Sequence, residues 1–290
     1  MKRWQITLLG MAALAGTGFW MREPLMLGWL ASRTEQTTLD QRQQLLESAI
    51  DIRLPETGDG PFPVVLQFHG CAGVDKPFHR QWADIANRAG YAAMIVDSVA
   101  PRGYSREKAL EVICKGKKLL GQERAGDILA AIKIAEADPR LDTDHLVLAA
   151  WSHGAWTVMD YLAMDMKKHR PAGLAPADYA PPDIDGVILF YPYCGIGALS
   201  RFRAWTQTPP MLALIGGADI VVNAGQCISL LEKKKAAGAP IDIVVYPDAN
   251  HVFDDPFLEP EWAELYNEDA FKDATKKYTA FLVSLDPVAP

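Results

Sequence analysis

Short apolar runs alternate with helical spacings along most of the chain. Pro63–Phe68, Tyr91–Val96, Leu146–Ala150, Gly186–Phe190, Met211–Ile215 and Ile241–Tyr246 are of strand length and nearly free of polar residues. Between them, Phe78 to Ala89 sets Trp82, Ile85, Ala86 and Ala89 on one face of a helix, with Gly90 closing it. Glu123 to Ala137 does the same with Ile128, Ala131, Ile132 and Ala135, and Asp138-Pro139 stops it. Further helices open near His153 and over Cys227 to Ala237, while Gln36 to Gln44 is a polar lead-in. Strands apolar on both sides need cover on both sides, so the pattern predicts an α/β fold. It has a mostly parallel sheet with helices on both faces, in one domain over 45–287.

Such a sheet carries its functional loops at the carboxyl ends of its strands. Val99 to Gly121, Tyr193 to Thr208 and Ile220 to Gln226 all follow strands and therefore rim the expected site. The stretch from His169 to Pro182 precedes a strand and falls at the opposite edge. No internal repeat or second-domain linker interrupts the order.

The first 31 residues do not follow this pattern. Met1-Lys2-Arg3 is a basic start, Trp4 to Trp20 is almost uncharged, and Pro24 to Ala31 is apolar again. A basic start before an apolar run predicts an export signal or an uncleaved anchor over 1–31, with the protein periplasmic or secreted, or tethered to a membrane. A hydrophobic helix packed on the fold would leave the same signature. Over all 290 residues, 49% hydrophobic and 22% charged is an ordinary globular balance, and a net charge of −7 disfavours nucleic acid or an anionic lipid surface as the main partner. The four cysteines, Cys71, Cys114, Cys194 and Cys227, are even in number, as paired cysteines of an exported protein are, and three pairings are open. No CxxC pair and no Cys–His cluster suggests a structural metal, and no cofactor is expected.

Leu148-Ala149-Ala150-Trp151-Ser152-His153-Gly154-Ala155 carries the candidate chemistry. A strand runs straight into a helix with Ser152 at the bend, which strains the serine backbone and lifts its hydroxyl above the sheet. The flanking small residues, Ala150 and Gly154, let strand and helix approach, with Ala150 where the usual pattern has glycine. A plain helix-capping serine would look the same locally. Two further groups separate the readings: Asp219, just beyond Met211–Gly217, and His251, in the polar loop after Ile241–Tyr246. The order Ser, Asp, His at three strand ends is what this fold needs for a nucleophile, a base and an orienting acid. Asp248, three residues before His251, is the rival acid, but it shares that loop and tends to turn onto local amides. The oxyanion donors expected are the amides of His153 and of Cys71, in His69-Gly70-Cys71-Ala72-Gly73, with His69 bracing that turn.

The chain resembles a dienelactone-hydrolase-type α/β-hydrolase. The matching segments are Phe68-His69-Gly70-Cys71-Ala72-Gly73, Asp97-Ser98 with Pro101-Arg102-Gly103, Trp151-Ser152-His153-Gly154, Gly216-Gly217-Ala218-Asp219 and Asn250-His251. Dienelactone hydrolase proper has a cysteine nucleophile where this sequence has Ser152, which favours a general ester hydrolase. The resemblance also suggests a carboxylate-binding arginine, for which Arg102 is the candidate, with loop bracing as its alternative role. The usual strand order of the fold sets the strands preceding Cys194 and Cys227 side by side, and likewise those preceding Cys71 and Cys114. It therefore implies the bridges Cys71–Cys114 and Cys194–Cys227. Trp151, Tyr193 and Phe253 are candidates to line a substrate pocket, Trp205 also lies near the rim, and each fits a core role equally.

The expectation is an esterase or lactonase acting on a small-molecule ester through an acyl-enzyme. Thioester cleavage, acyl transfer or peptide cleavage on the same residues, or a non-catalytic binding protein of this fold, are the alternatives.

Overall fold

Thr38 starts the first helix with a reciprocal cap, its hydroxyl accepting from the Gln41 amide while the Gln41 side chain accepts from the Thr38 amide. This helix, α1 (Leu39–Glu47), occupies what the sequence presents as a polar lead-in. It packs on the fold because Leu39 and Leu46 are buried and because Arg42 reaches the buried Asp127 carboxylate at 2.8 Å. The computed structural model describes Leu25 and residues 33–285, so the expected signal or anchor over 1–31 lies outside the described residues except at Leu25. Among the described residues no helix is long and apolar enough to cross a membrane.

The expected strands all form: β2 (Phe62–Phe68), β3 (Ala92–Val96), β4 (Leu141–Trp151), β5 (Gly186–Phe190), β6 (Met211–Gly216) and β7 (Ile241–Tyr246). One further strand, β1 (Ile50–Arg53), is half-buried along its length and pairs antiparallel with β3 at the sheet edge. The order across the sheet is β1-β3-β2-β4-β5-β6-β7, and every pair except β1–β3 is parallel.

Successive side chains of β4 go to opposite faces. Leu146, Leu148 and Ala150 enter the core built with α1, α4 (Gly121–Glu136), α5 (His153–Leu162) and α6 (Ala224–Ala236). Val147, Ala149 and Trp151 enter the other, built with α2 (Lys76–Arg88) and α7 (Glu268–Leu285). Both faces are therefore apolar, which is why these strands read as unbroken runs. α7 buries Ala270, Ala274, Tyr278 and Leu282, one per turn. A short helix, α3 (Arg106–Val112), stands inside the rim loop between β3 and α4.

Both implied disulfides are present, Cys71–Cys114 and Cys194–Cys227. Each ties segments that follow neighbouring strands at the carboxyl edge, with Cys227 in the first turn of α6, so the cross-links brace the rim rather than the sheet.

Candidate active site

Ser152 joins β4 to α5 with φ 51° and ψ −110°, a left-handed conformation costly for a residue with a side chain. Its amide donates to the Phe190 carbonyl of β5 at 2.9 Å, and its carbonyl accepts from the Trp156 amide at 3.0 Å. The bend is therefore held from the sheet and from the helix. Gly154 allows it: a Cβ there would stand 2.1 Å from the Phe68 carbonyl oxygen and 2.7 Å from that of His69.

The Asp219 and His251 loops close over the serine from the β6 and β7 side. Gly216 and Gly217 make the approach, since a Cβ on either would meet backbone of Asn250 or Pro247 within 2.6–2.8 Å. Asn250 stitches the loops together, its Oδ1 accepting from the Ile220 amide at 3.0 Å and the His251 amide at 2.8 Å. Asp219 Oδ1 accepts from the amides of Val221 and Val222, both at 2.8 Å. Asp219 Oδ2 lies 2.7 Å from His251 Nδ1, and His251 Nε2 lies 3.1 Å from Ser152 Oγ. The carboxylate only accepts, so Nδ1 carries the imidazole proton and Nε2 is left to accept from the serine hydroxyl. Asp248 is exposed on the turn after β7, away from this line.

Cys71 and His153 border the same cavity as Ser152. Among the described residues neither amide donates to another protein group, so both are available to a carbonyl oxygen. His69 braces the first of these loops: its Nδ1 lies 2.5 Å from the Gly70 carbonyl and its Nε2 accepts from the Ser98 amide at 2.9 Å. Burial, helped by Arg124, lowers its pKa and keeps it neutral. Arg124 itself is buried and links the two loops, donating to the His69 carbonyl at 2.8 Å with its Nη1 3.2 Å from His153 Nδ1. Burial pushes its pKa down to about 10, which leaves it charged at neutral pH.

Two buried carboxyls support the surroundings. Asp254 accepts from the Tyr191 hydroxyl at 2.9 Å and the Trp151 indole at 3.0 Å, and the Tyr191 ring lies 4.5 Å from that of His251. Burial raises the Asp254 pKa to about 7 against the opposing pull of those two hydrogen bonds. Asp160 accepts from the Trp156 indole at 2.7 Å and the Ser200 amide at 2.8 Å, and burial raises it to about 7 as well. Asp254 and Arg124 carry no sequence signal of their roles because their partners are remote in sequence, whereas the Trp156–Asp160 pair is an i, i+4 spacing on α5.

Of the candidate pocket residues, Tyr193 lines the cavity beside Ser152. Trp151 and Phe253 do not. Trp151 ends β4 on the α2/α7 face and stacks on Phe190 at 4.9 Å, and Phe253 packs against Tyr191 and Tyr246. Trp205, another rim aromatic, packs against the opposite core. Arg102 does not face the serine either. It donates twice to Asp127, at 2.8 and 3.0 Å, and to the Ser98 carbonyl at 2.6 Å, so it braces its own loop. Burial alone would raise the Asp127 carboxyl, but Arg102 and Arg42 outweigh it and hold it well below the usual carboxylate range.

The model of the dienelactone hydrolase family matches residues 52–285. Over 211 residues the chain is 26% identical to a protein of Methylorubrum extorquens described as a carboxymethylenebutenolidase, covering 69% of this chain and 66% of that one. Over 205 residues it is 26% identical to a protein of Talaromyces marneffei described as dipeptidyl-aminopeptidase B, covering 66% of this chain and 22% of that one. The chain thus spans just under two thirds of the first relative and about a fifth of the second. Among solved structures, the apo form of Thermogutta terrifontis esterase 2 superposes with a TM-score of 0.61 at 19% identity, covering 83% of this chain and 91% of that one. A Klebsiella pneumoniae protein described as a dienelactone hydrolase gives a TM-score of 0.61 at 18% identity, covering 80% and 91%. At such identity these two attest the shared fold.

Proposed function

Because the chain belongs to the dienelactone hydrolase family, we propose that it is a serine hydrolase cleaving a carboxylic ester or lactone with Ser152, His251 and Asp219. The observation that supports this reading is the line of contacts Asp219 Oδ2–His251 Nδ1 at 2.7 Å and His251 Nε2–Ser152 Oγ at 3.1 Å. In the reaction, Ser152 Oγ attacks the substrate carbonyl carbon while His251 Nε2 takes the hydroxyl proton. Asp219 stabilises the imidazolium and keeps its ring oriented. The amides of Cys71 and His153 receive the oxyanion, close to the α5 N-terminus. The leaving alcohol takes the proton from Nε2, and water, deprotonated by the same nitrogen, releases the acid and restores Ser152.

The likeness to a dipeptidyl-aminopeptidase favours a second reading, amide cleavage on the same three residues. Export is proposed as well: the two disulfides suit an oxidising compartment, with residues 1–31 as signal or tether. The test is fluorophosphonate labelling and turnover of 4-nitrophenyl esters beside dipeptidyl anilides. Wild type is expected to label and to cleave esters faster than anilides, and Ser152→Ala to lose labelling and at least about a thousandfold in kcat while remaining folded. A folded Ser152→Ala protein with most of its activity refutes the nucleophile.

A further inference from the structure

We propose that this site takes esters carrying an uncharged apolar chain, lodged in the cavity that runs from Ser152 to an aliphatic mouth at Ile196 and Val221. The inference rests on the ester-hydrolase reading above. The cavity measures about 510 Å³, a volume suited to a small-molecule ligand. Its inner wall is the Cys71–Cys114 bridge with buried Ile113 and Trp156. Its mouth is formed by Ile196 and Val221, which line the cavity yet are 89% and 63% exposed.

The side-chain polar atoms of the lining Trp156 and Tyr193 are spent inside the protein. The Trp156 indole N–H donates to Asp160, and the Tyr193 hydroxyl donates to the Ile196 carbonyl at 3.0 Å. What these two rings offer a ligand is carbon. The arginine that a carboxylate would seek, Arg102, is held by Asp127. Among the described lining residues the one charged side chain is Lys115, on the exposed loop next to Cys114.

A charged or strongly polar chain entering the inner part of this cavity would shed its water against an apolar wall, with Lys115 on the exposed loop as the one charged group on the lining. An apolar chain loses nothing and takes water off the wall. The mouth extends the same logic to the surface. A single exposed aliphatic residue needs no explanation. Here Ile196 and Val221, with Ile220 at 72% exposure beside them, stand together at the end of an apolar channel leading to the nucleophile. A chain long enough to reach the mouth covers what a short acyl group leaves wet.

The experiment is a kcat/KM series on the full protein with 4-nitrophenyl acetate, butanoate and octanoate, ethyl and octyl acetate, and the mono-4-nitrophenyl ester of octanedioic acid. Each methylene buried raises kcat/KM by up to about fourfold, so with roughly half of the six extra methylenes buried, octanoate or octyl acetate should exceed its short counterpart by about a hundredfold. The carboxylate-ended ester should fall at least about tenfold behind octanoate. Ile196→Ser and Val221→Ser should each cut the long-to-short ratio by about fivefold. A ratio near one in both series, or preference for the carboxylate-ended ester, overturns the proposal. Failure of the underlying reading looks different: no fluorophosphonate labelling and no turnover of any ester. Turnover of acetate that needs Ser152 but shows no chain preference refutes the apolar-chain proposal and leaves the hydrolase standing.

Discussion

Replacing Asp219 by Asn isolates the orienting role of its carboxylate, because the structure lets the amide keep every other contact. Asp219 Oδ1 holds the Val221 and Val222 amides at 2.8 Å each, and an Asn Oδ1 can do the same. That leaves an NH2 group where Oδ2 now sits, 2.7 Å from His251 Nδ1. Two N–H donors cannot face each other, so the imidazole must present a lone pair at Nδ1 and carry its proton on Nε2. Nε2 is 3.1 Å from Ser152 Oγ and would then donate to the hydroxyl instead of accepting its proton. The expected loss in kcat is about ten-thousandfold, or about 5.5 kcal/mol of transition-state stabilisation. Steady-state hydrolysis of 4-nitrophenyl acetate measures it, fluorophosphonate labelling should slow in parallel, and thermal melting should move little because the loop contacts survive. Asp248→Asn, on the exposed turn, serves as the control and should keep most of the activity. Asp219→Asn retaining more than about a tenth of wild-type kcat, with Asp248→Asn crippled, would refute the reasoning.

Gly154→Ala should abolish soluble folded protein or cost more than about a hundredfold in activity, since its Cβ would overlap the Phe68 carbonyl oxygen at 2.1 Å and push α5 off β2. Ala150→Gly should fold at a cost of about 1 kcal/mol; circular dichroism and labelling distinguish the two outcomes, and a well-folded, active Gly154→Ala enzyme would contradict the packing argument. The third prediction concerns pH. Asp254 has a folded pKa of about 7 against an ordinary 3.8, so the native state binds that proton more tightly than the unfolded chain. Its stabilising effect is complete below the unfolded value and is lost as pH rises from about 4 to about 7. Asn cannot ionise and can still meet the Tyr191 hydroxyl and the Trp151 indole. The melting temperature of Asp254→Asn relative to wild type should therefore improve between about pH 4 and about pH 7 and then level off, and a difference that stays constant with pH would exclude the buried protonated carboxyl.

The sheet is legible because strands covered on both faces leave a nearly pure apolar run, and the three candidate side chains Ser152, Asp219 and His251, which the fold brings into hydrogen-bonding distance, because each lies in the segment that follows such a run. The features that local spacing does not reveal share a different physics. α1 looked like polar lead-in because much of its docking is ionic, Arg42 to Asp127 across 85 positions, although Thr38 and Gln41 spelled out its cap. Arg102 was a candidate for substrate because its actual partner, the same Asp127, lies on a helix that no local spacing connects to that loop. Trp151 and Phe253 were ambiguous for a related reason: where both faces of a strand are apolar, hydrophobicity does not say which side chains face the catalytic rim. The amphipathic pattern of α7, by contrast, was present in Ala270, Ala274, Tyr278 and Leu282. Asp254 and Tyr191 meet only through folded loops, and no periodicity foretells that.

The two bridges at the rim make two covalent rings of the chain, one closed between Cys71 and Cys114 and one between Cys194 and Cys227. Exposed loops are where proteases cut. Much of the rim, including the aliphatic mouth at Ile196 and Val221, lies inside those rings. A single cleavage between residues 72 and 113, or between 195 and 226, produces two new ends but no separate fragments. Both halves stay joined at the rim, and they part company only when a reductant opens the bridge.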